Sequence, residues 1–173
     1  MNRGIHRFVI ALVVVAAVVA PAGATTAQAS GTTSTVATSS LTLSVNNILE
    51  NTVVLLTNTK RVLFGCPPLR VNGDLRQAAR AHSKRMAISG VMSHQLAGEP
   101  SLGRRVSLAG YLGWTRVAEN IAAGYTSATL VIRAWWNSFA HRRNLLDCSL
   151  REIGVGVVWT GRSMYWTQDF GRR

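Results

Sequence analysis

From Val45 onward the chain carries Ile48, Val53, Leu55, Leu56 and Val62 at approximately helical spacing, which predicts a first helix running to Lys60-Arg61. Gly65-Cys66-Pro67-Pro68 stops it, because proline lacks the amide hydrogen that the next turn requires. Asn72 is the expected N-cap of a second helix, in which Leu75, Ala78, Ala79, His82 and Met86 recur at intervals of three and four. Arg76, Arg80 and Lys84 form a stripe on its other face, read as a solvated surface. A short helical piece through Arg104 and Val106 ends at Gly110, and a further helix from about Ser127 turns Leu130, Val131, Ala134 and Trp135 towards the core. In the final third the period changes. Ile153, Val155 and Val157 alternate with their neighbours, Gly161-Arg162 breaks the run, and Met164 to Gln168 completes a hairpin pattern. Gly154 and Gly156 within that pattern predict either irregular pairing or close approach of another backbone. Helices first and strands last indicate an α+β domain, not alternating units around a parallel sheet.

The segment before Val45 has a different character. Arg3 and Arg7 precede an apolar run from Phe8 to Ala20, and Ala27-Gln28-Ala29 supplies a small-x-small site, so residues 1–29 read as a secretory signal cleaved after Ala29. The apolar run falls short of the ~20 residues a spanning helix needs, so no transmembrane anchor is expected. Residues 30–44, rich in Ser and Thr, are expected to form a flexible leader, and residues 45–173 the folded domain.

At 173 residues, 47% of them hydrophobic and only 15% charged, the chain suits one modest domain with a real core and excludes global disorder. Its formal net charge of +12 comes mainly from arginine pairs such as Arg104-Arg105, Arg142-Arg143 and Arg172-Arg173, scattered rather than gathered. Nucleic acid is therefore not the expected partner. An exported basic protein would instead meet anionic lipid headgroups or acidic envelope polymers. The two cysteines, Cys66 and Cys148, exclude a disulfide-dense scaffold and a four-cysteine zinc cluster. As an even pair in an exported chain they predict one disulfide, worth about 4 kcal/mol if unstrained.

Carboxylates are scarce, so those placed in apolar surroundings stand out. Glu119 lies inside Val117 to Ala123, and an unpaired carboxylate there would cost several kcal/mol. His94 and His141 are candidate partners, either in a hydrogen-bonded structural network or as ligands of a divalent metal. Their wide separation in sequence is unlike a compact helical zinc motif and leaves both readings open. His82, on an apolar helix face, reads as a packed histidine. No serine-hydrolase elbow or phosphate-binding glycine loop is present, and Ser83, Ser93 and Ser138 read as capping or hydrogen-bonding groups.

Six blocks carry a resemblance. They are Leu75 with Ala79-Arg80-Ala81-His82-Ser83; Met92-Ser93-His94; Ala118-Glu119-Asn120-Ile121-Ala122; Trp135-Trp136-Asn137-Ser138 with His141-Arg142-Arg143-Asn144-Leu145-Leu146; Glu152 to Val157; and Tyr165 to Gly171. In this order they resemble the CAP superfamily of cysteine-rich secretory, antigen 5 and pathogenesis-related proteins, in its single-domain bacterial form. The resemblance implies a three-layer α-β-α sandwich with a small, mainly antiparallel sheet, and a cleft holding His94, Glu119 and His141. Ser138 stands where many eukaryotic members place a second glutamate, and Phe139-Ala140 replaces a frequent Pro-Gly. The family implies zinc or magnesium at His94, Glu119 and His141, with Ser138 or water completing the shell, and it also implies lipid or sterol ligands. The combined expectation is a secreted, monomeric, non-enzymatic binding domain. The alternatives are a metal-dependent hydrolase with Glu119 as base, or a structural protein contacting the cell envelope.

Overall fold

The computed structural model describes the backbone of residues 32–173 and the side chains of residues 45–173; the expected signal segment lies outside these described residues. Nine elements follow in order: α1 (Thr32–Leu63), β1 (Arg70–Val71), α2 (Gly73–Ser89), α3 (Leu102–Leu108), β2 (Arg116–Ala123), α4 (Ala128–Asn137), α5 (Phe139–Leu145), β3 (Glu152–Trp159) and β4 (Met164–Arg172). The strands form one sheet in the order β1-β3-β4-β2, in which the two-residue β1 is parallel to β3 and the other pairings are antiparallel. This is an α+β domain, as expected, although the strands do not all come last. β2 falls in the middle of the helical region. Its period-2 signal is weak because small and polar residues, Ala118, Glu119 and Asn120, occupy positions on both faces.

Alternation along β3 builds the layers. Ile153, Val155 and Val157 point to one face, where they join Val53 and Val54 of α1, Val131 and Trp135 of α4, and Leu145 of α5 in the main core. Gly154 and Gly156 point to the other face, where α2 lies directly against the strand. A Cβ on Gly154 would sit 2.1 Å from the Arg76 nitrogen, and one on Gly156 would sit 2.3 Å from the Arg80 nitrogen. Close approach is thus the reason for both glycines. Leu75 and Ala78 of α2 close this second layer with Val106 of α3 and Tyr111. Asn72 caps α2 as expected, its side chain accepting from the amides of Asp74 and Leu75.

Helix α1 begins at Thr32, and among the described side chains its buried positions start at Glu50. Three helical expectations need correction. Val53, Val54 and Leu56 of α1 turn inward, whereas Ile48, Leu55 and Val62, expected on the same face, are exposed. The stripe on α2 is not merely solvated either. Arg80 makes a two-pronged contact with Glu50, which is completely buried in α1, and Arg76 bonds to Asn51. In the later helical region Ser138 adopts extended torsions that split α4 from α5, and Ile132 takes the core position expected of the exposed Leu130.

The expected disulfide joins Cys66 to Cys148. Beside it the fully buried Arg61 donates to the carbonyl oxygens of Pro67, Leu145, Asp147 and Leu150, so the end of α1 is tied to the α5–β3 connection by polar bonds as well. Replacing Gly154 or Gly156 by alanine forces α2 off the sheet and is expected to cost about 3 kcal/mol or more, measured by urea denaturation; a loss under ~1 kcal/mol would show that α2 can shift freely.

Candidate functional site

β2 is an edge strand, so side chains from both helical layers can reach around it. Glu119 faces the α2–α3 layer and is 7% exposed. Its Oε1 accepts a hydrogen bond from His94 Nδ1 at 2.8 Å, and its Oε2 pairs with the guanidinium of Arg105, a buried residue of α3. Arg105 also donates to the His94 carbonyl oxygen at 2.8 Å, which fixes the loop that carries the histidine. Burial opposes the charge on Glu119, but the His94 hydrogen bond and the positive charge of Arg105 outweigh it and hold the carboxyl below its ordinary value.

The network extends inward. His82 donates through Nδ1 to Glu99 Oε1 at 2.8 Å and turns Nε2 towards Glu119 Oε2, 3.8 Å away. His82 is therefore buried, as expected of a packed histidine, but it belongs to an ionic cluster rather than to an apolar face. Across the sheet, Asp169 pairs in register with Glu119. It is fully buried, and neither carboxyl oxygen has a hydrogen-bond partner. Burial first, and then the neighbouring charge of Glu119, push the Asp169 pKa well above its ordinary value, which favours its protonated form.

His141 lies on the opposite side of the edge strand. No bond joins it to Glu119; its backbone carbonyl accepts from Asn120 Nδ2, and Asn120 is tied in turn to Gln168 and Asn144. Burial and the nearby His94 push the His141 pKa down, so the ring is neutral at pH 7. His141 and Ser138 line a pocket of about 260 Å³, whose remaining walls are mainly apolar: Met92, Ile121, Tyr125 and Trp135 with three alanines. Thus His94 and Glu119 meet directly, whereas His141 and Ser138 open onto the adjoining pocket.

The one carboxylate of the expected ligand set, Glu119, is paired with the Arg105 guanidinium, and among the described residues no three His, Cys, Asp or Glu side chains stand together as a group that could hold a metal ion. Sequence reasoning missed Glu99 and Arg105 and gave Asp169 no role. The available signal was scarcity: of seven acidic residues in the whole chain, four are buried, and each must then find a cation or hold a proton.

The fold and this cleft define an α-β-α domain with a polar cluster on an edge strand. The family model described as the cysteine-rich secretory protein family matches residues 54–170, and the chain belongs to this CAP family. It is 37% identical to the uncharacterized protein YkwD of Bacillus subtilis over 123 residues, 70% of this chain and 46% of that protein. Among solved structures, an extracellular protein containing a SCP domain from Bacillus anthracis superposes with a TM-score of 0.69 at 30% identity, covering 74% of this chain and 41% of that one. A cysteine-rich secretory protein from Staphylococcus aureus gives a TM-score of 0.60 at 25% identity, covering 74% and 39%. The chain thus spans less than half the length of each of these relatives.

The state of Asp169 gives a pH-dependent expectation. A carboxyl whose pKa is raised on folding favours the folded state below its unfolded value near 4, and that contribution is lost as pH rises through the folded value. Asp169→Asn should therefore raise the melting temperature by several degrees at pH 8, with the gain shrinking to nothing near pH 4. Equal melting temperatures of variant and wild type at pH 8 would show that the carboxylate is compensated in the fold.

Proposed function

We propose that this chain is an exported, non-enzymatic binding domain whose cleft takes a ligand with an apolar group and a hydrogen-bonding head. The pocket beside His141 carries this reading: apolar walls with a neutral imidazole and a hydroxyl are the usual composition of a small-ligand site. Its volume of about 260 Å³ suits one short acyl or aromatic group, so the head would lie towards His94 and Glu119. The hydrolase alternative has less support. A carboxylate held below its ordinary pKa and pinned by an arginine is a weak general base. Export is supported by the basic-apolar-small pattern of residues 1–29, by the disulfide, and by the extracellular description of the Bacillus anthracis relative. Among the described residues no helix is long and apolar enough to cross a membrane.

The test is to titrate hexanoate, octanoate and N-octanoylglycine into the isotopically labelled chain and follow backbone and indole resonances. Shifts confined to Ala122, Ala123, Tyr125 and Trp135, and abolished when Ala134→Phe fills the pocket, are expected. Shifts that map elsewhere, or that persist unchanged in the filled variant, would contradict the assignment.

A further inference from the structure

All seven side-chain carboxylates of the chain are used internally. Glu50, Glu99, Glu119 and Asp169 are buried, and Asp74, Asp147 and Glu152 are each within ion-pair distance of an arginine. The surface therefore presents cations such as Lys60, Arg142 and Arg143 that no carboxylate pairs with, in a chain of formal net charge +12.

One face combines that charge with exposed apolar groups. Along α1, Ile48, Leu55 and Val62 recur every seven residues and are 62%, 65% and 60% exposed. The threonines between them are masked as polar groups, because the Thr52 and Thr59 hydroxyls donate to the backbone carbonyls of Ile48 and Leu55. The stripe runs into Phe64, 59% exposed, whose ring lies 5.0 Å from that of Trp136 at the end of α4. Lys60 sits 4.0 Å above the Trp136 ring, with the Arg142 guanidinium at 5.9 Å, and Phe139, 73% exposed, opens the adjoining α5. None of these residues belongs to the pocket beside His141.

We propose that this face, formed by the outer side of α1 with Phe64, Trp136 and Phe139, docks the domain on an anionic lipid bilayer. Aromatic and aliphatic side chains would enter the acyl boundary while the stacked lysine and arginine meet the headgroups, the division of labour that holds amphipathic surfaces at an interface. Charge selects the occupant. A second copy would bring the same uncompensated positive surface against this one, whereas an anionic bilayer satisfies the charge and the apolar stripe together.

The chain from Ser30 to Arg173 retains every described core contact and the disulfide, so it can be tested by co-sedimentation with vesicles. Binding is expected to vesicles containing phosphatidylglycerol and not to pure phosphatidylcholine, and to weaken as salt rises. The variant L55Q/F64Q/F139Q, altered only at exposed positions, should keep its melting temperature and bind at least about tenfold more weakly. Lys60→Gln and Arg143→Gln should each weaken binding about fivefold. As an independent readout, brominated acyl chains should quench tryptophan fluorescence, and Trp136→Phe should remove most of that quenching. No binding to phosphatidylglycerol overturns the proposal. Undiminished binding by the triple variant overturns it in favour of a soluble polyanion held by charge alone. A wild-type dimer that the triple variant converts to monomer, without vesicle binding by either, overturns it in favour of a second copy.

Discussion

The pairing of Glu119 with Arg105 is the constraint around which the cleft is organised. A carboxylate on an edge strand, 7% exposed, cannot stay charged without a close cation, and Arg105 supplies it from α3. The same guanidinium holds the His94 carbonyl, so one arginine positions both the acid and the loop carrying its imidazole partner. Glu119 is neutralised from inside, His94 is more than half exposed at the mouth of the cleft, and the charge of Glu119 adds to burial in raising the pKa of Asp169 across the sheet.

Other parts of the fold keep this arrangement in place. α2 can bring His82 under Glu119 only because Gly154 and Gly156 let its backbone lie against β3. On the other face Asn120, next to Glu119, bonds Gln168 of β4 and the His141 carbonyl of α5, and Gln168 continues to Thr57 of α1. Alternation along a single strand thus sends one residue into the ionic cluster and its neighbour into a neutral amide chain that anchors the opposite layer.

The helical periods of Leu75 to Met86, the Asn72 cap, the hairpin and the Cys66–Cys148 pair were legible because each rests on local spacing or on a two-member choice. The glycines of β3 announced a close approach but not its partner. The strand through Glu119 was obscure because its side chains are buried on both faces, which removes the alternation that marks a half-exposed strand. His94 and Glu119 could be paired from the six blocks that resemble the family, whereas Arg105 and Glu99 lie outside those blocks and are brought in by a loop and a short helix that have no periodic signal of their own. The resemblance also implied a metal ligand set. The arginine in contact with Glu119 is what the motifs did not convey: it neutralises the carboxylate from within the fold.

A double-mutant cycle on Glu119→Gln and Arg105→Met, read by urea denaturation at pH 7, tests this account most directly. If the pair is the organising interaction, each single substitution costs about 3 kcal/mol by stranding the other charge, and the double variant costs far less than their sum. Single losses under about 0.5 kcal/mol that simply add would contradict it, and would mean that the cleft is held by its surroundings rather than by this ion pair.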